Sequence, residues 1–183
     1  MEKEFPKRKS TRLKDFDYGS IGTYFVTICT GDRKPILSEI VRTNNTATVE
    51  TNNTAVGEGL APPAFQIRLL PCGEIAEKQL LSLEERFPTV TVEDYVIMPD
   101  HIHALIFLHE KTGGASPSPT LNDVVCAFKS LTARACKKGY GMERMFQRSF
   151  AEHIVRDRED YKTRKKYICE NPMRWYYKQL EEK

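Results

Sequence analysis

The sequence lacks strong net charge, paired-cysteine spacing and long apolar runs, and each lack removes a class of protein. Lys plus Arg number 28 against 25 Asp plus Glu, a net charge of +3, so overall charge alone names no partner. Five cysteines, Cys29, Cys72, Cys126, Cys136 and Cys169, form an odd set with no CxxC pair and no zinc-type spacing. They are expected to be reduced side chains in a cytoplasmic protein. No stretch approaches the roughly 18 apolar residues of a membrane helix. The opening MEKEFPKRKS has no apolar core of a secretory signal. A soluble, cytoplasmic protein with no membrane association is expected.

What is present suits one hydrophobic core. The chain has 183 residues, 40% of them hydrophobic, and a single domain over 1–183 is expected. Residues 42–63 interrupt it: TNNTATVE, TNNTAVGE and GLAPP form a polar near-repeat that can bury almost nothing, so a flexible insertion is expected there. GTYFVTICTGD, rich in β-branched and aromatic residues, predicts a strand at about 23–30, and FQIRLLP a second. Ala76, Leu80, Leu83 and Phe87 recur at helical spacing and predict an amphipathic helix ending before Pro88. VTVEDYVIMP and HIHALIFL read as neighbouring central strands bent at Pro99-Asp100. TLNDVVCAFKSLTARACKKG opens on a Thr-x-x-Asp capping pattern and carries Leu121, Val124, Val125, Phe128, Leu131 and Ala135 on one face, which predicts a helix. FQRSFAEHIVRD holds a short strand, and EDYKTRKKYICENP predicts a last helix stopped by Asn171-Pro172. That order predicts an α+β fold in which helices flank a mainly antiparallel sheet.

The apolar run YVIMPDHIHALIFL carries two of the four histidines. In a strand, His101 and His103 project from the same face while Ile102 and Ala104 face the other way. Paired neutral imidazoles in an apolar surround suit a divalent ion, with a third group, substrate oxygens or water completing the shell. The alternative is a pair of core histidines satisfied by neighbouring acceptors. On the last helix Tyr161 and Tyr167 lie on different faces, so only one phenol can aim at the sheet. Tyr167 has Glu170 three positions on and Asn171 four positions on, so a nucleophile and an oxygen ligand can share its face, unless Tyr167 is an ordinary half-buried aromatic and Asn171 a helix cap.

The set YFVTICTGDRKPIL, YVIMPDHIHALI, FKS, FQRSFAEHIVRD and DYKTRKKYICENP closely resembles the single-tyrosine HUH transposases, in particular the REP-associated tyrosine transposase branch. The Met-Pro-Asp-His-x-His strand, followed about sixty residues later by Tyr-Ile-x-x-Asn-Pro, carries the resemblance. It implies the HUH-endonuclease architecture, ferredoxin- or RRM-like. It further implies that His101 and His103 hold Mg2+ or Mn2+, that Asn171 completes the shell, and that Tyr167 is the nucleophile. The implied activity is metal-dependent cleavage and transfer of single-stranded DNA at REP-like hairpins through a 5′-phosphotyrosine link, by a monomer or homodimer. Lys7, Arg8, Lys9, Arg12, Lys129, Arg164 and Lys165 are the expected DNA contacts, with Ser130 beside Lys129. His109 is expected at the surface, and His153 with Glu152 in a structural or supporting role. Two other readings are a DNA-hairpin binding protein without catalysis and a metal-dependent hydrolase using activated water. The Asn/Thr-rich insertion is no part of the resemblance, and the chain ends soon after Trp175-Tyr176-Tyr177.

Overall fold

The computed structural model describes residues 19–42, 65–110 and 119–181. Four strands, β1 (Gly22–Cys29), β4 (Val90–Ile97), β5 (His101–Leu108) and β6 (Ala151–Ile154), form one sheet in the order β4-β5-β1-β6. Every pairing is antiparallel. β2 (Ser38–Arg42) and β3 (Phe65–Leu69) form a separate antiparallel ladder. The helices are α1 (Pro71–Leu81), the short α2 (Leu83–Arg86), α3 (Leu121–Tyr140) and α4 (Arg158–Glu181). The expected α+β class with helices flanking an antiparallel sheet is what the chain adopts.

Strand alternation divides the interior in two. On one face Tyr24, Val26 and Ile28 of β1 join Ile102, Ala104, Ile106 and Leu108 of β5 against Ala76 and Leu80 of α1 and Val124, Val125 and Phe128 of α3. On the other, Phe25, Leu105, Val96 and Met98 meet Ile168 of α4, with Tyr161, Tyr167 and Trp175 beside them. The register of β4 slips between Val92 and Asp94. Because of that bulge Val90 and Val92 share a face with Tyr95 and Ile97, two positions that strict alternation would have sent to the opposite side. α3 begins as its sequence predicts: the Thr120 hydroxyl accepts from the Asp123 N–H, and Asp123 accepts from the Thr120 N–H.

Four differences from the sequence reading have physical causes. β2 was not expected; its five residues adjoin the polar stretch and gain their strand character from pairing with β3 and from the Ser38 hydroxyl bonding the Ile97 carbonyl at 2.8 Å. Arg42, expected at the edge of the insertion, belongs to that strand, and the rest of the expected insertion, 43–63, lies outside the described residues. The helix expected to run up to Phe87 breaks at Ser82, whose N–H reaches the Lys78 carbonyl before α2 restarts. α4 does not stop at Pro172. A proline inside a helix costs about 3 kcal/mol because its nitrogen cannot donate to the carbonyl four residues back, here that of Ile168. α4 continues because it packs against β2, β3, β4 and β5, with Ile168, Asn171 and Pro172 all buried.

Candidate active site

The site lies where the centre of the four-stranded sheet meets α4. β5 is flanked on both sides, and its pairing with β1 sets Cys29 opposite His101 and Thr27 opposite His103. Both imidazoles project to the α4 face, with ring centroids 4.6 Å apart at 75°. His101 and His103 are 6% and 4% exposed, a burial at which a ring nitrogen without a partner is costly.

The partners account for one nitrogen of each ring. His101 Nδ1 donates to Asp100 Oδ1 at 2.5 Å, and Asp100 Oδ2 accepts from Arg33 Nε at 2.7 Å. His103 Nδ1 lies 2.8 Å from the Thr27 hydroxyl. His103 Nε2 is buried and has no hydrogen-bond partner among the described residues. Burial, together with His101 and Arg33, pushes the His103 imidazole down to about 3, so the ring is neutral and keeps a lone pair. An orphaned imidazole nitrogen beside a second imidazole, each ring held through its other nitrogen, fits a divalent ion. Among the described residues no three His, Cys, Asp or Glu side chains are grouped to hold an ion. An amide on α4, substrate or water could supply a third donor.

α4 brings its own groups to the imidazoles. The Tyr167 ring stands 5.1 Å from that of His103 at 73° and 6.0 Å from that of Phe25, which itself stacks on His103 at 5.1 Å. Asn171, one turn on and buried, shares the face of Tyr167, and Trp175, a further turn on, lies 5.9 Å from His101. Tyr161 packs in the same apolar cluster, but burial and the Glu93 and Asp94 carboxylates push its phenol up, which disfavours a phenolate there. The Arg174 guanidinium sits 5.7 Å from the Tyr167 ring centre and is held by Glu170 at 2.8 Å.

The structure thus brings His101, His103 and Tyr167 to one place, with Asn171 one turn beyond Tyr167 on α4. The expected DNA contacts are dispersed. Lys129 Nζ donates to the carbonyls of Gln147 and Arg148 at 2.7 and 2.9 Å, ties that hold the approach to β6. Arg164 bonds Asp160 at 3.1 Å and covers the Phe25 ring, and Lys165 faces Asp94 at 4.0 Å. Lys7, Arg8, Lys9 and Arg12 lie outside the described residues. His153 bonds Asp160 at 2.6 Å and His109 is an exposed residue beside Thr91. Sequence reasoning missed Asp100, Thr27, Arg33, Trp175 and Arg174. Of these, Asp100 alone carried a signal, as the residue immediately before His101.

No protein-family model matches the sequence. A Haemophilus influenzae protein described as uncharacterized is 27% identical over 188 residues, spanning 94% of this chain and 92% of its own. Among solved structures, a REP-associated tyrosine transposase bound to a REP hairpin superposes with a TM-score of 0.55 at 17% identity, over 91% of this chain and 74% of that one. A candidate transposase from Deinococcus radiodurans gives a TM-score of 0.45 at 14% identity, over 88% of this chain and 96% of its own. No helix among the described residues is long and apolar enough to cross a membrane. The chain shares its fold, an antiparallel sheet flanked by helices, with the hairpin-bound tyrosine transposase.

Proposed function

We propose that the protein is a metal-dependent endonuclease and strand transferase for single-stranded DNA, acting at hairpins through Tyr167. The observation that carries this reading is the Tyr167 ring set 5.1 Å from a buried imidazole, His103, whose Nε2 has no partner among the described residues. A core histidine would have that nitrogen satisfied. The fold shared with a transposase bound to a REP hairpin supports DNA hairpins as the substrate class.

Nε2 of His101 and of His103 would hold the ion, with the Asn171 amide oxygen as third donor. When bound, Mg2+ or Mn2+ supplies Lewis-acid charge at the scissile phosphate, whose anionic oxygens otherwise repel a nucleophile. Tyr167, as a phenol, is a weak nucleophile until its proton leaves. Arg174, beside the ring, would offer positive charge to the incoming phosphate. The phenol oxygen attacks phosphorus and the bond to the 3′ oxygen breaks. The proton lost from Tyr167 is balanced by one gained at the freed 3′-OH. The 5′-phosphotyrosine bond conserves the phosphodiester, so a second 3′-OH can reverse the step without a nucleotide cofactor. Phe25 and Trp175 wall the imidazoles with apolar surface, which limits attack by water.

Incubation of the full chain with a labelled single-stranded DNA hairpin and Mn2+ tests the proposal on a denaturing gel. A covalent protein–DNA band that needs Tyr167 is expected, with Tyr167→Phe still binding the hairpin. Cleavage without any covalent band would favour a water-using hydrolase. Binding without cleavage would favour a hairpin-binding protein.

A further inference from the structure

The connection between β1 and β2 carries Arg33, at the end of a 3-10 turn spanning Gly31–Arg33. Asp32 and Arg33 both have φ of 56°, in the left-handed region that residues with a Cβ adopt rarely. Such a backbone persists where its surroundings impose it. Here they do. The Gly31 N–H donates to the Met145 carbonyl at 3.0 Å, and a Cβ on Gly31 would stand 2.5 Å from the Arg144 carbonyl oxygen. On the other side, the Thr30 N–H and hydroxyl both donate to the Asp100 carbonyl, at 2.9 and 3.0 Å. The turn is fastened to segment 144–145 and to the bend between β4 and β5.

That fastening aims the Arg33 side chain. Its Nε donates to Asp100 Oδ2 at 2.7 Å, and its other arm, Nη1, donates to Cys29 Sγ at 2.8 Å. Cys29 is the β1 residue paired with His101, so the guanidinium spans the strand pair at the position of that imidazole. Asp100, 4% exposed, uses Oδ2 for Arg33 and Oδ1 for His101 Nδ1. A carboxylate held at one oxygen only can turn about its last side-chain bond. Held at both, it has one orientation.

We propose that Arg33 is a positioning residue for the metal pair: by fixing the Asp100 carboxylate it fixes the His101 ring with Nδ1–H directed inward and Nε2 presented to the cation. This rests on the reading that His101 and His103 hold a divalent ion. The planar guanidinium, with two donors in a fixed fork, suits the task where a lysine offers one point charge. Arg33 touches neither the ion nor DNA in this role and acts only through Asp100.

The test titrates Mn2+ into the full chain without DNA, following free Mn2+ by electron paramagnetic resonance, and then measures hairpin cleavage across Mn2+ concentrations. Arg33→Ala is expected to weaken Mn2+ binding by on the order of tenfold, as loss of an outer-shell partner does elsewhere. Saturating Mn2+ should restore its cleavage rate, hairpin binding without metal should be unchanged, and Arg33→Lys should fall in between. Asp100→Asn puts an amide donor in reach of Nδ1 and should move the ring proton to Nε2, visible in the nitrogen NMR shifts of a 15N-labelled His101. If Arg33→Ala does not fold, Arg33→Lys and Asp100→Asn carry the same comparison. Wild-type Mn2+ affinity and unchanged His101 ring shifts in folded Arg33 variants would overturn the proposal. A wild-type chain that binds no Mn2+, or binds it equally after both histidines become alanine, would instead overturn the metal reading and Arg33's role with it.

Discussion

The Tyr167 ring meets the His103 imidazole at 73°, 5.1 Å between centres, across the contact of α4 with the central strand of the sheet. His103 takes its face from the alternation of β5, and Tyr167 is set by the apolar contacts of Ile168, Phe25 and Leu105. A phenol and a pair of imidazoles that are 64 residues apart in the chain, counting from His103 to Tyr167, are thus brought together by one sheet–helix interface.

Replacing both His101 and His103 by alanine should abolish Mn2+-dependent cleavage by at least a hundredfold while leaving hairpin binding within a few fold, an effect of the size metal loss has on phosphoryl chemistry. Gel cleavage assays and binding titrations of the same preparation check it, with circular dichroism confirming the fold. Residual metal-dependent cleavage in a folded double variant would contradict the assignment.

The ion-free protein should lose stability in mild acid through His103. Its imidazole is pushed down to about 3 from 6.5, first by burial and then by His101 and Arg33. The unfolded chain therefore takes up a proton before the folded one does as pH falls. The stability from this group is complete above about pH 6.5 and is lost progressively down to about pH 3. Thermal melts of wild type and His103→Gln across that window should show a shallower acid slope in the variant. Parallel slopes would contradict it.

Lys129→Met should destabilise the fold by about 1.5–3 kcal/mol, the range for charge-assisted hydrogen bonds, because the Gln147 and Arg148 carbonyls lose their ammonium donor. Urea unfolding measures that loss, and hairpin affinity at fixed salt should be unchanged. A fall in affinity with unchanged stability would return Lys129 to the DNA contacts that its sequence position suggested.

Two glycines should respond oppositely to alanine. A Cβ at Gly73 would stand 1.9 Å from the Leu37 carbonyl oxygen, so α1 cannot keep its seat against the β1–β2 connection. Gly73→Ala should cost about 1–3 kcal/mol through overpacking. At Gly139 in α3 no described residue lies within 4 Å of the added methyl, and Gly139→Ala should stabilise the helix by about 0.5–1 kcal/mol. Denaturant midpoints of the two variants, falling for Gly73→Ala and rising for Gly139→Ala, are the check.

The parts of the fold legible in the sequence are those governed by period and end chemistry. The alternation through His101–Leu108 gives the two faces of β5, and the Thr120/Asp123 pair gives the start of α3. What was not legible depends on contacts distant in the chain. β2 is five residues whose strand character comes from β3, across the stretch 43–64. α4 passes Pro172 because four strands hold it, a contribution no local propensity contains. At the site, the paired imidazoles stood out by spacing and residue type, and Tyr167 by its place in the Tyr-Ile-x-x-Asn-Pro motif that carries the family resemblance. Arg33 did not, because its role depends on a left-handed turn and on reaching Asp100, 67 positions away.

The account's central claim is that the Tyr167 oxygen forms the covalent bond to DNA. Its most direct test is to incubate the full chain with a single-stranded hairpin and Mn2+, trim the DNA with nuclease, digest the protein and locate the nucleotide-bearing residue by mass spectrometry. The account predicts a nucleotide phosphate on Tyr167 and none on Tyr161. Attachment at Tyr161 or any other residue, or hairpin cleavage that leaves every tyrosine unmodified, would contradict it.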